Sequence, residues 1–156
     1  MSQLKRPVIL AVLGIALVVI GTSHALDLQE GQRFFDRYIA LGDSFNPSLA
    51  TLYADSATIK STRRYPTGQI RSLELTGAQW KNLIQKAMPL AKAQGDRSEF
   101  KNVRLEAVGD DIRIKADRYS VRKCYWDHGY YMVIRRTATG PQIVEEYLET
   151  QPESAC

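Results

Sequence analysis

YIALGDSFNPSLATLYADSATI, running from Tyr38 to Ile59, carries the punctuation from which the rest of the chain can be read. Gly42 is a natural helix stop, because a residue without a side chain enters the left-handed conformation at a helix C-terminus without steric cost. Asn46 followed by Pro47 is a cap and first-turn signal, which predicts a second, short helix over 48–53. Ala57 to Arg64 then reads as a strand. Upstream, Leu28, Gly31, Phe34, Phe35, Tyr38 and Leu41 fall close to one helical face, so a first helix is expected over 28–41.

Downstream, Tyr65-Pro66-Thr67-Gly68 is a turn, and Gln69 to Leu75 is the returning strand of a hairpin. Thr76 with Gln79 three residues later matches a capping box. Behind it Trp80, Leu83, Ile84, Ala87 and Met88 recur at helical spacing, giving the clearest amphipathic helix in the chain. Pro89 is expected to end or kink that helix, and Gly95 to close the segment beyond it. From Glu99 onward, turn residues separate four strands: 100–108, 112–125, 130–137 and 142–150. The connections are so short that these strands must be sequential antiparallel neighbours.

The order is α-α-β-β-α-β-β-β-β, and a curved antiparallel sheet with helices on one face buries both apolar sets: a cone-shaped α+β roll. In that order, and in the run Gly42-Asp43, Tyr53-Ala54-Asp55 and Ala57-Thr58-Ile59, the chain resembles the nuclear transport factor 2-like superfamily, including its SnoaL-like members. The resemblance covers nearly all of residues 28–150. It implies a conical pocket between helices and sheet, and a sheet face that often mediates homodimerisation. Enzymes of this fold resembling ketosteroid isomerase carry a tyrosine on the first helix and an aspartate on the first strand. Those places fall here on Phe35 and near Ser61. A phenyl ring has no hydroxyl, and a serine is no general base at neutral pH, so that isomerase chemistry is not expected.

The first 25 residues read as a signal peptide. Lys5 and Arg6 precede the uncharged apolar run Val8–Ile20, and Ser23-His24-Ala25 supplies small residues for cleavage after Ala25. Residues 26–156 then form one domain, with 151–156 a polar tail. The chain has 21 Lys and Arg against 17 Asp and Glu, a net charge of +4. Cleavage removes two of the cations, leaving 19 − 17 = +2. That small excess gives no reason to expect a nucleic-acid partner. A secreted or periplasmic location makes a Cys124–Cys156 disulfide the expected state of the two thiols. In the meander Cys124 and Thr150 share one sheet edge about 10 Å apart, and a six-residue tail spans ~20 Å. No membrane partner is expected after cleavage, and no cofactor or metal: two cysteines and His128 cannot close a zinc site.

Candidate site residues come mainly from the aromatic last third. Tyr119, Trp126 and Tyr130 cluster there, with Tyr38 and Trp80 facing them from helices, and such side chains suit either a pocket for a small apolar or aromatic ligand or the core itself. Asp117 is the carboxylate of interest. Strict alternation with Ile112, Ile114 and Ala116 turns Asp117 and Tyr119 away from the helices and Arg118 and Ser120 toward them; a bulge near Ala116 reverses both. His128, in the turn Asp127-His128-Gly129, is expected at an exposed rim, and Asp55 as a turn residue. The basic residues of the hairpin and meander read as a solvated face, with an anionic envelope polymer or acidic protein as the functional rival. The pattern favours a non-catalytic ligand-binding or protein-interaction domain. The alternatives are a SnoaL-like lyase, isomerase or hydrolase using Asp117 with Tyr119 or His128, and an inhibitor or immunity-type partner protein.

Overall fold

A computed structural model describes residues 25–152 and 156; most of the proposed signal peptide therefore lies outside the described residues. Helix α1 spans Leu28–Asp43 and opens with a capping box: the Asp27 side chain accepts from Glu30 N–H, and Glu30 accepts from Asp27 N–H. The helix runs through Gly42. Ser44 caps it, and Phe45 takes the left-handed turn at φ 51°. Asn46 caps a single 3-10 segment, Pro47–Leu52, and β1 follows at once over Tyr53–Arg64. The hairpin strand β2 covers Ile70–Thr76.

Thr76 and Gln79 form the expected capping box for α2, Gly77–Gln94. Gly77 is obligatory in the first turn, because a Cβ there would run into the Ala54 carbonyl oxygen. Pro89 does not end the helix. It removes one N–H donor, while Ile84 and Met88 on the preceding turn stay packed on the core. The stop is Gly95, at φ 63°.

The remaining strands are β3 (Ser98–Val108), β4 (Asp111–Ser120), β5 (Tyr125–Asp127), β6 (Tyr131–Thr137) and β7 (Gly140–Thr150). The strand expected over 112–125 is two. The chain reverses after Ser120, Cys124 takes φ 54°, and β5 folds back antiparallel on β4, pairing Tyr119 with Trp126. The sheet order is β2-β1-β7-β6-β4-β3, with β5 on β4. All neighbours are antiparallel except β1 and β7, which run parallel, so the sheet is mixed. No tight turn joins that pair, and their relative direction was therefore open to the tertiary fold.

Both helices pack on one face of the sheet. Phe34 and Phe35 of α1, Ile84 of α2, Ile112 and Ile114 of β4, Met132 and Ile134 of β6 and Ile143 of β7 form one buried cluster. Cys124 and Cys156 are disulfide-bonded, with Cα atoms 5.4 Å apart, which ties the tail to the β4–β5 turn. Among the described residues no helix is long and apolar enough to cross a membrane.

Candidate functional site

The unexpected feature of the core is a carboxylate. Between β6 and β7 the register slips: Val133 faces Glu145 while the next residue, Ile134, faces Ile143. Val144 is the extra residue, so Ile143 and Glu146, three apart, both turn toward the helices. Glu146 is 1% exposed. Tyr53 donates to its Oε2 at 2.7 Å, and Tyr130 and Tyr38 donate to its Oε1 at 2.7 and 3.2 Å. Burial raises the carboxyl above its ordinary value, against the pull of the three hydroxyls and the Arg118 guanidinium. Burial and the Glu146 charge push all three tyrosines up, so they remain donors.

Arg118 stands beside this cluster. Its guanidinium lies 3.5 Å from Asp127, donates to the Glu149 carbonyl at 2.9 Å and to Ser98 Oγ at 3.3 Å, and sits over the Tyr130 ring. Asp127 is buried as well, accepting from the N–H groups of Gly129 and Glu149. Burial raises its carboxyl, opposed by the Glu149 N–H and by Arg118. Each buried charge is thus held by several donors or acceptors, as interior charges require.

A cleft of about 260 Å³ opens between α1, α2 and the start of β3. Its wall is mostly apolar: Tyr38, Phe45, Trp80, Leu83, Met88 and Phe100, with Asp43, Asp96, Arg97 and Ser98 as its polar groups. Glu146 lies behind that wall, and Tyr38 links the two, with its ring in the cleft and its hydroxyl on the carboxylate. Trp80 Nε1 is buried beside the Tyr53 hydroxyl and completes no hydrogen bond with any described residue.

Of the six residues expected in one pocket, Tyr38 and Trp80 line this cleft and Tyr130 is buried behind it. Asp117, Tyr119 and Trp126 are not with them. β4 keeps strict alternation, so Arg118 and Ser120 turn inward, and the bulge lies on β3 between Lys101 and Arg104 instead. Asp117, on the outer face, accepts from Asn102 Nδ2 at 2.6 Å and pairs with His128 Nδ1 at 2.8 Å. Those two bonds hold its carboxyl below the usual range. Trp126 packs at a tilt against Tyr119 and stacks on the exposed His128 ring, and Lys101 lies over it. Asp117 and His128 border a second groove of about 320 Å³ with Arg104, Glu106 and Lys115. Phe35 is packed between Tyr38 and Phe100, and Asp55 forms an exposed ion pair with Lys81.

Sequence pattern alone does not single out Glu146 or Tyr53. Glu146 shares strand alternation with Val144 and Leu148, which is the only trace of its burial in the sequence. No group of three or more His, Cys, Asp or Glu among the described residues could hold a metal ion.

No family model and no curated protein matches the sequence. Solved structures do match the fold. An NTF2-like protein of unknown function from Pseudomonas putida KT2440 superposes with a TM-score of 0.58 at 12% identity, over 78% of this chain and 84% of that one. The yeast UBP3-associated protein BRE5 gives 0.56 at 16%, over 79% and 95%. A protein from Novosphingobium aromaticivorans, provisionally described as a scytalone dehydratase, gives 0.52 at 13%, over 83% and 88%. The chain therefore has the nuclear transport factor 2-like fold that Tyr38–Ile59 resembles. These proteins differ too widely for a shared fold to assign a role.

Proposed function

We propose that this chain binds a small, largely apolar molecule in the cleft between α1, α2 and β3, without catalysing its conversion. The carrying observation is the relation between cleft and carboxylates. The cavity is lined by aromatic and aliphatic side chains, while Glu146 and Asp127 sit outside its lining, bonded to their own partners. A ligand of that cavity gains apolar burial, and neither buried carboxylate is presented to it. The disulfide supports an oxidising compartment, secreted or periplasmic, as the place where it acts. The outer aromatic face is the surface we assign to a homodimer.

The test uses N-phenyl-1-naphthylamine, a neutral dye that fluoresces in apolar surroundings. One site per chain is expected, abolished by Ala87→Trp, which places an indole in the cleft. Dye binding that survives this substitution would falsify the reading. An enzymatic alternative of the lyase or isomerase kind is favoured by one feature: Tyr38 connects the cleft to a buried acid whose proton affinity is raised. It predicts that a bound molecule is chemically altered by the wild type and recovered intact from Tyr38→Phe.

A further inference from the structure

The mouth of the cleft carries a charge that its apolar wall does not explain. Asp43 and Asp96 both border the cavity, and neither side chain makes a hydrogen bond or ion pair with any described residue. Asp43 occupies the last position of α1, a helix with no basic residue in its last turn. A carboxylate there adds to the negative end of the helix dipole, a placement that destabilises the helix and has no local compensation. Asp96 stands just past Gly95, the C-cap of α2, and lines the same cavity, so both carboxylates lie at helix C-termini. Lys92 in the last turn of α2 is not part of the lining, and Arg97, which is, lies 3.6 Å from Glu99. Behind this rim stand four aromatic rings, Tyr38, Phe45, Trp80 and Phe100. Aromatic faces and unpaired carboxylates around one cavity are complementary to a single ligand type.

We infer that the cleft takes an organic cation with an aromatic or apolar body, its positive charge held at the Asp43–Asp96 mouth and its body against Tyr38, Trp80 and Phe100. This rests on the cleft being a ligand site and names the class of ligand.

The experiment compares two probes of the same shape, phenyltrimethylammonium and its uncharged twin tert-butylbenzene, by ligand-observed NMR titration of the purified protein. The cation is expected to bind at least about tenfold more tightly than the twin, an advantage that shrinks as salt is raised. Asp43→Asn with Asp96→Asn should bring the two within about twofold while leaving tert-butylbenzene unchanged, because only the charge term is removed. Ala87→Trp should abolish both. Equal binding of the two probes, or an advantage indifferent to the aspartate changes, overturns the cation inference and leaves the cleft reading intact. So does a protein that binds N-phenyl-1-naphthylamine but not phenyltrimethylammonium. Failure of all three compounds removes the cleft reading and this inference with it.

Discussion

Two carboxylates on neighbouring parts of one sheet have opposite fates. Glu146 on β7 is buried and receives three tyrosine hydroxyls; Asp117 on β4 stands on the outer face and is bonded to an asparagine amide and an exposed histidine. Both have specific partners at hydrogen-bond distance, and by distance alone they would rank as equals. Burial separates them. Desolvation raises the Glu146 carboxyl in spite of its donors, whereas at Asp117 the donors win and the carboxyl is lowered. A carboxylate's neighbours therefore do not tell its chemistry until the surrounding medium is known.

The sharpest way to break that comparison is Glu146→Ala. It leaves three buried hydroxyls without their acceptor, and the expected loss is about 3–5 kcal/mol in urea unfolding. A loss below about 1 kcal/mol would mean that the cluster is solvated and the contrast false. Next comes the covalent tie. Replacing both Cys124 and Cys156 by serine opens a loop with a sequence separation of 32, at an expected cost of roughly 3–4 kcal/mol on the chain-entropy model. Amide exchange should rise first in β5, which carries the outer-face Trp126, and last around Glu146.

A matched pair of tyrosines gives a finer test. Tyr53→Phe deletes a buried hydrogen bond to a carboxylate and should cost about 1.5–3 kcal/mol, whereas Tyr131→Phe deletes the 2.5 Å bond to Glu145 on the outer face and should cost about 0.5–1 kcal/mol. Equal losses would contradict the assigned burial.

The smallest effect is in pH dependence, and it has opposite signs at the two sites. The native Glu146 carboxyl lies above its ordinary 4.5, so its contribution is complete below that value and is lost as pH rises through the native one. The wild type's advantage over Glu146→Gln should therefore shrink on raising pH. The native Asp117 carboxyl lies below its ordinary 3.8, so its contribution is present above that value and is lost as pH falls through the native one. The advantage over Asp117→Asn should shrink on acidification. Urea midpoints from about pH 3 to pH 8 decide both, and two slopes of one sign would sink the contrast.

Much of the fold was legible because it is written in local signals. The capping box at Thr76 and Gln79, the Asn46-Pro47 start and the Gly95 stop act within a turn of where they stand. So does the turn chemistry that spaces the meander. The disulfide was expected from an exported location, and strand order, which brings Cys124 and the tail to one edge, puts the two within reach. The alternation of β4 allowed two faces for Asp117, and the structure takes the one without a bulge at Ala116.

What the sequence determined on its own, then, is the succession of helices and strands and the pairing of the meander, apart from the reversal after Ser120 that makes β5, because neighbouring residues carry those instructions. The buried cluster is of another kind. Its tyrosines lie 108, 93 and 16 residues from Glu146, on α1, β1 and the approach to β6. A slip of one residue at Val144 chooses between Glu145 and Glu146 as the inward acid. Only the tertiary structure decides that, because the cost of burying a charge depends on every group that closes around it, and no local window of sequence contains them.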